Sequence, residues 1–159
     1  MGNLLETYCR PEATIPRNAV NRLLSAVIQQ PYRAKILVVD DEIEVVTALK
    51  IRLRSAGYRV VTAFDSAGAT QAVIAEHPDL VILDIGMAGG DGHAVARRMT
   101  EYLKDLLVPI VFLTAHTAEA DRVKARSVWA ADYITKPYTS ERLLEGVGKA
   151  LNWQREHQN

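Results

Sequence analysis

Residues 36–42 read ILVVDDE, four aliphatic side chains followed at once by two aspartates and a glutamate. A strand with one wet face alternates apolar and polar residues; a continuous apolar run instead fits a strand covered on both faces, as in the interior of a parallel sheet. The acidic pair then falls at the carboxyl end of that strand, the edge at which open α/β sheets bind their ligands. The same pattern recurs twice: LVIL at 80–83 leads into Asp84, and IVFL at 110–113 leads into Thr114. Strands are expected at Lys35–Val39, Tyr58–Thr62, Leu80–Leu83, Pro109–Leu113 and Asp132–Thr135, the last running into Lys136.

Between the strands, apolar residues recur at helical spacing: Ile43, Val46, Leu49 and Leu53, then Val95, Met99 and Tyr102, and finally Leu143, Val147 and Leu151. Asp41 with Glu44 three residues on reads as a helix start, and Gly57 as a helix stop. Strands alternating with helices imply βαβ units and a mostly parallel sheet.

Composition narrows the function classes. The chain has 159 residues, 19 basic and 19 acidic side chains and 48% apolar residues, which is about one domain. Zero net charge argues against a nucleic-acid binder held by bulk positive field. No apolar run approaches the ~20 residues of a membrane span. One cysteine, Cys9, makes no internal bridge, and a start without a secretory pattern points to the cytoplasm. Residues 1–34 carry four Arg and two Glu, net +2, which leaves 15 basic and 17 acidic residues, net −2, for 35–159. The organisation expected is an extension over 1–33, a domain over 34–155 and a tail over 156–159. The extension holds Pro11 and Pro16, then an amphipathic helix over 19–30 with Val20, Leu23, Leu24, Val27 and Ile28 on one side, ended by Pro31. So short a helix needs something to pack on.

The strand ends bring Asp40, Asp41, Asp84, Thr114 and Lys136 to one edge. Taken singly, each has a plain reading: Asp41 as a helix cap, Asp84 as a turn residue, Lys136 as a solvated lysine. Together they specify chemistry. Three close carboxylates repel unless a cation sits among them. Oxygen ligands with open positions suit Mg²⁺, with Mn²⁺ as a substitute. A carboxylate beside that ion can attack phosphorus and form an aspartyl phosphate, while an ammonium and a hydroxyl hold the phosphoryl oxygens.

ILVVDDE at 36–42, LVILDIGM at 80–87, VFLTA at 111–115 and DYITKPY at 132–138 resemble, in that order, the receiver domain of two-component response regulators. The resemblance spans about residues 34–155. It implies a flavodoxin-like (βα)5 fold with strand order 2-1-3-4-5. Asp84 would be the phosphoacceptor, and Asp40, Asp41 and the backbone carbonyl of Gly86 would hold the metal with it. Thr114 and Lys136 would contact the phosphoryl group, and Tyr133 would be the switch aromatic. The Lys136–Pro137 bond is expected to be cis.

The implied partner is a sensor histidine kinase or a His-phosphotransfer protein, with protein contacts rather than DNA or membrane as output. Homodimer surfaces could be the N-terminal helix or the face built from the fourth helix, fifth strand and fifth helix. The only catalysis implied is self-phosphorylation and slow autodephosphorylation. The extension is too short for a DNA-binding or enzymatic domain, so the chain reads as a single-domain regulator or a receiver from a larger protein. The sequence departs from the family at Met87–Gly92, where two extra glycines replace a proline and should loosen the loop, at Trp129, and at His116, a position that tunes phosphate lifetime. A haloacid-dehalogenase-type phosphatase would need a second acid where Gly86 stands. A flavodoxin would need a hydroxyl-rich loop where DDEIE stands. A receiver that only binds partners would not need the five-residue set.

Overall fold

In the computed structural model, β1 (Lys35–Val39), β2 (Arg59–Ala63), β3 (Leu80–Asp84), β4 (Ile110–Thr114) and β5 (Ala130–Thr135) form one parallel sheet in the order β2-β1-β3-β4-β5. This is the flavodoxin-like order expected from the sequence. The structure describes residues 32–87, 97–99, 108–115 and 130–157. The N-terminal helix over 19–30, the glycine-containing loop at 88–92, Val95, Tyr102, His116, Trp129 and the fourth-helix dimer face lie outside the described residues. The chain divides into two units, Met1–Pro31 and Tyr32–Asn159, and everything described belongs to the second.

Period-2 alternation of the inner strands sorts the core onto two faces. Ile36, Val38, Leu80, Ile82, Val111 and Leu113 share one cluster with Val46, Leu49 and Leu53 of α1 (Ile43–Ser55). The same cluster takes Leu143, Val147, Ala150 and Leu151 from the last described helix, α3 (Ser140–His157). Leu37, Val39, Val81, Leu83, Ile110 and Phe112 point the other way and pack with Met99 and with Ala69 and Val73 of α2 (Ser66–Glu76). β1, β3 and β4 are therefore covered on both sides, which is why each reads as an unbroken apolar run.

Several boundaries differ from the sequence reading: β2 and β4 each lie one residue later than expected, and β3 takes in Asp84. Asp41 does not open α1: the N-cap is Glu42, without a side-chain cap bond, and the Glu42 N–H donates instead to Asp40 Oδ1 at 2.9 Å. Ile43, expected on the apolar face, is 64% exposed, so the buried stripe begins at Val46. β5 starts two residues earlier than Asp132, because Ala130 and Ala131 carry no strand signal on a half-exposed edge. The last helix also runs two residues into the segment read as a tail.

Gly57 ends α1 as expected. With φ at +86°, the Gly57 N–H donates to the Arg54 carbonyl at 2.9 Å and the Tyr58 N–H to the Leu53 carbonyl at 3.1 Å, the paired bonds of a Schellman cap. α2 is opened by Asp65, whose carboxylate accepts the Gly68 N–H at 2.7 Å, and closed by His77 at φ 45°. A Cβ on Gly57 would meet only Arg33 methylenes, at 3.5 Å and beyond, so the left-handed backbone alone sets the cost of a side chain there. Gly57→Ala is expected to lower stability by about 1–2 kcal/mol. Urea unfolding should show an earlier midpoint with an unchanged slope, and an unmoved midpoint would contradict this reading of the cap.

Candidate functional site

The carboxyl edge of the sheet carries the chemistry. Asp40 is the residue after β1, where its N–H donates to the Ala63 carbonyl and its side chain is fully buried. Asp84 closes β3, and its neighbour Ile85 is tied by its N–H to the Leu113 carbonyl at 3.0 Å. Oxygens of Asp40, Asp41 and Asp84 lie within 4.8 Å of one another.

Lys136 reaches into this group from the far side of the sheet. The Lys136 N–H donates to the carbonyl of Thr114, the buried last residue of β4, at 2.7 Å. From that anchor Lys136 Nζ stands 3.1 Å from Asp40 Oδ2 and 3.5 Å from Asp84 Oδ1. The Lys136–Pro137 peptide bond is cis. Sequence positions 40, 41, 84 and 136 thus meet in one cluster, with Thr114 bonded to it through its backbone.

Among the described residues, Asp40 and Asp84 share the Lys136 ammonium. Burial pushes the Asp84 carboxyl above its ordinary range; Lys136 and the Gly86 N–H pull it down, while Asp40 adds to the rise. Lys136 is pushed up: burial opposes its charge, but its bond to Asp40 and the charges of Asp84 and Asp40 outweigh that. A hard divalent cation fits this donor set, in which three carboxylates offer oxygens within 4.8 Å of one another.

Tyr133 is not part of the acidic cluster. Its ring is half-buried and packs on Phe112 with centroids 5.1 Å apart, on the sheet face that carries α2. Gly86 is exposed and turns its N–H toward the Asp84 carboxylate, where a phosphatase of the alternative type would place an acid.

The sequence match to the response regulator receiver domain covers residues 36–148, well over half of the chain. The chain belongs to that family. As a receiver domain of two-component signalling it has close structural relatives. It is similar to the chemotaxis protein CheY4 of Vibrio cholerae at 28% identity and a TM-score of 0.70, covering 74% of this chain and 98% of that one. The N-terminal domain of a response regulator/sensory box/GGDEF three-domain protein from Carboxydothermus hydrogenoformans matches at 33% identity and TM-score 0.71, over 79% and 99% of the two chains. NtrX from Brucella abortus matches at 31% and 0.72, over 79% of this receiver but 28% of that longer chain. No described helix is long and apolar enough to cross a membrane.

Two side chains near the site had no role in the sequence reading. Tyr138 is half-buried against the α1–α3 core; burial raises its phenol pKa against the pull of Lys136 and Arg52. Arg142 bonds Asp132 and the Tyr133 carbonyl. Tyr138 stood inside the motif DYITKPY, whereas the Arg142 contacts depend on strand-to-helix packing that no spacing rule exposes.

The electrostatics set two opposite expectations for the metal-free protein in EDTA. A raised carboxyl pKa means the folded state binds that proton more tightly than the unfolded chain, so ionised Asp84 costs stability at neutral pH. Asp84→Asn should therefore raise the melting temperature at pH 7, with the gain shrinking as pH falls towards the ordinary carboxyl value of 3.8. Lys136→Met should destabilise by about 1–3 kcal/mol, since it removes the charged partner of buried Asp40. Calorimetric melting across pH checks both, and a destabilised Asp84→Asn at pH 7 would refute the account.

Proposed function

We propose that this receiver domain accepts a phosphoryl group on Asp84 from a phosphohistidine on a sensor histidine kinase or His-phosphotransfer protein. The observation that carries this reading is the meeting of Asp40, Asp41 and Asp84 within 4.8 Å, with Lys136 Nζ 3.5 Å from Asp84. An Asp84 carboxylate oxygen attacks phosphorus, the phosphorus–nitrogen bond breaks, and its electron pair leaves with the imidazole, which regains a proton.

Asp40, Asp41, Asp84 and the Gly86 carbonyl would hold Mg²⁺ or Mn²⁺, which when bound neutralises charge on the phosphoryl oxygens. Lys136 gives up part of its pairing with Asp84 and donates to a phosphoryl oxygen. The Thr114 hydroxyl takes another. Phosphorylation replaces the single negative charge of the Asp84 carboxylate with about −1.5 to −2 spread over the phosphoryl oxygens, and this larger charge draws Thr114 and Lys136 toward it. Tyr133, packed at a tilt on Phe112, itself two residues before Thr114, is the side chain placed to follow that movement and alter the surface of β5 and α3. The chain acts on no external substrate; its chemistry is its own phosphorylation and slow hydrolysis, carried out in the cytoplasm through protein partners.

Mass spectrometry after acetyl phosphate and Mg²⁺ should find one phosphoryl group on the wild-type chain and none on Asp84→Asn. EDTA should abolish labelling. Equal labelling of the variant would overturn the assignment.

A further inference from the structure

The turn that carries Lys136 is closed at its base by a three-bond clamp. Arg142 Nη1 donates to Asp132 Oδ2 at 2.8 Å, and Nη2 donates both to Asp132 Oδ1 at 2.9 Å and to the Tyr133 carbonyl at 3.0 Å. Asp132 and Tyr133 lie in β5, Arg142 in the first turn of α3, and Lys136, Pro137 and Tyr138 in the chain between them. The clamp therefore holds together the two ends of the segment that delivers the ammonium to Asp40 and Asp84. The backbone of Arg142 is fixed as well, its N–H donating to Thr139 Oγ1 at 3.2 Å.

Space for the clamp depends on Gly146. A Cβ there would stand 2.6 Å from Asp132 Oδ2, 3.0 Å from Ile134 Cδ1 and 3.1 Å from Arg142 Nη1. Glycine is unfavourable in a helix interior, and here its missing side chain is what the bridge occupies. Gly148, two residues on, would meet nothing within 4 Å. The tight approach is confined to the turn facing Asp132.

We propose that Arg142 is a positioning residue for phosphoryl capture, acting through the Asp132–Tyr133 clamp to hold the Lys136 turn at the reach its ammonium needs. The inference rests on the reading of Asp84 as phosphoacceptor. Arg142 and Asp132 retain 37% and 22% side-chain exposure, and ion pairs this wet add little to overall stability. A planar fork bonded at three points instead restricts geometry, and capture of a bound group is sensitive to sub-ångström placement. The metal ligands sit on β1, β3 and their loops, outside the clamped segment. Losing the clamp should then separate two affinities that a general loosening of the domain would move together.

The test uses the full chain and two probes: Mg²⁺ alone, and beryllofluoride at saturating Mg²⁺, both by calorimetry. For Arg142→Gln and Gly146→Ala, the Mg²⁺ dissociation constant should stay within about twofold, while beryllofluoride binds about three- to tenfold more weakly. Arg142→Lys, which keeps charge without the fork, should remain weakened. Unchanged beryllofluoride affinity in both Arg142→Gln and Gly146→Ala overturns the inference. So does a proportional loss for both probes with a fall in melting temperature, the mark of a structural role only. Absence of beryllofluoride binding by the wild-type chain would instead remove the phosphoacceptor reading, and this inference with it.

Discussion

The ion-pair triangle of Lys136 with Asp40 and Asp84 is the constraint on which the site depends. Asp40 is fully buried, so its charge is tolerable only with a partner at hydrogen-bond range, and Lys136 supplies it at 3.1 Å. The two residues are 96 positions apart and stand on elements from different parts of the sheet. In the order β2-β1-β3-β4-β5, Lys136 after β5 reaches a carboxylate after β1 across the ends of β3 and β4. Fold and site are thus linked: without that reach, buried Asp40 would keep the local Glu42 N–H but lose its charged partner Lys136.

The triangle is also incomplete. One ammonium is shared between two carboxylates, with Asp41 alongside, and Asp84 is raised chiefly by burial, to which the Asp40 charge adds. Under the proposed function, such a site would take a cation and then a phosphoryl group that can use Lys136. An apolar replacement of these groups would give a quieter core edge with no such response. The haloacid-dehalogenase alternative loses ground here for a specific reason: the position two residues past Asp84 is Gly86, which offers an N–H to the carboxylate rather than a second acid.

How much of this was legible in the sequence follows from where each residue's partners lie. β1, β3 and β4 were readable because both faces are buried and the runs are continuously apolar. The strand-end residues were readable because a strand boundary names them. α1 was misjudged at its start because Asp41 and Glu44 mimic a capping box, while the observed bond is a different local one: Asp40, one residue earlier, uses its carboxylate on the Glu42 N–H. Ile43 matched the helical period yet lies at a helix end beyond the core. β5 gave a short reading because an edge strand with a half-exposed pattern lacks the apolar run.

The contacts that stayed illegible tie α3 to β5. Asp132 and Arg142 are ten residues apart, a separation that neither helix nor strand periodicity singles out. Gly146 is unfavourable for a helix by propensity alone, and only the packed structure gives its reason: the space a Cβ would take holds the Asp132 carboxylate. The same bridge reaches the Tyr133 carbonyl, while the Tyr133 ring leans on Phe112 on the opposite side of the strand. The backbone of the proposed switch residue is thereby pinned by α3, leaving its side chain as the part able to respond. A movement at Thr114 and Lys136 would then reach the surface as a change of ring position rather than a slip of the whole strand.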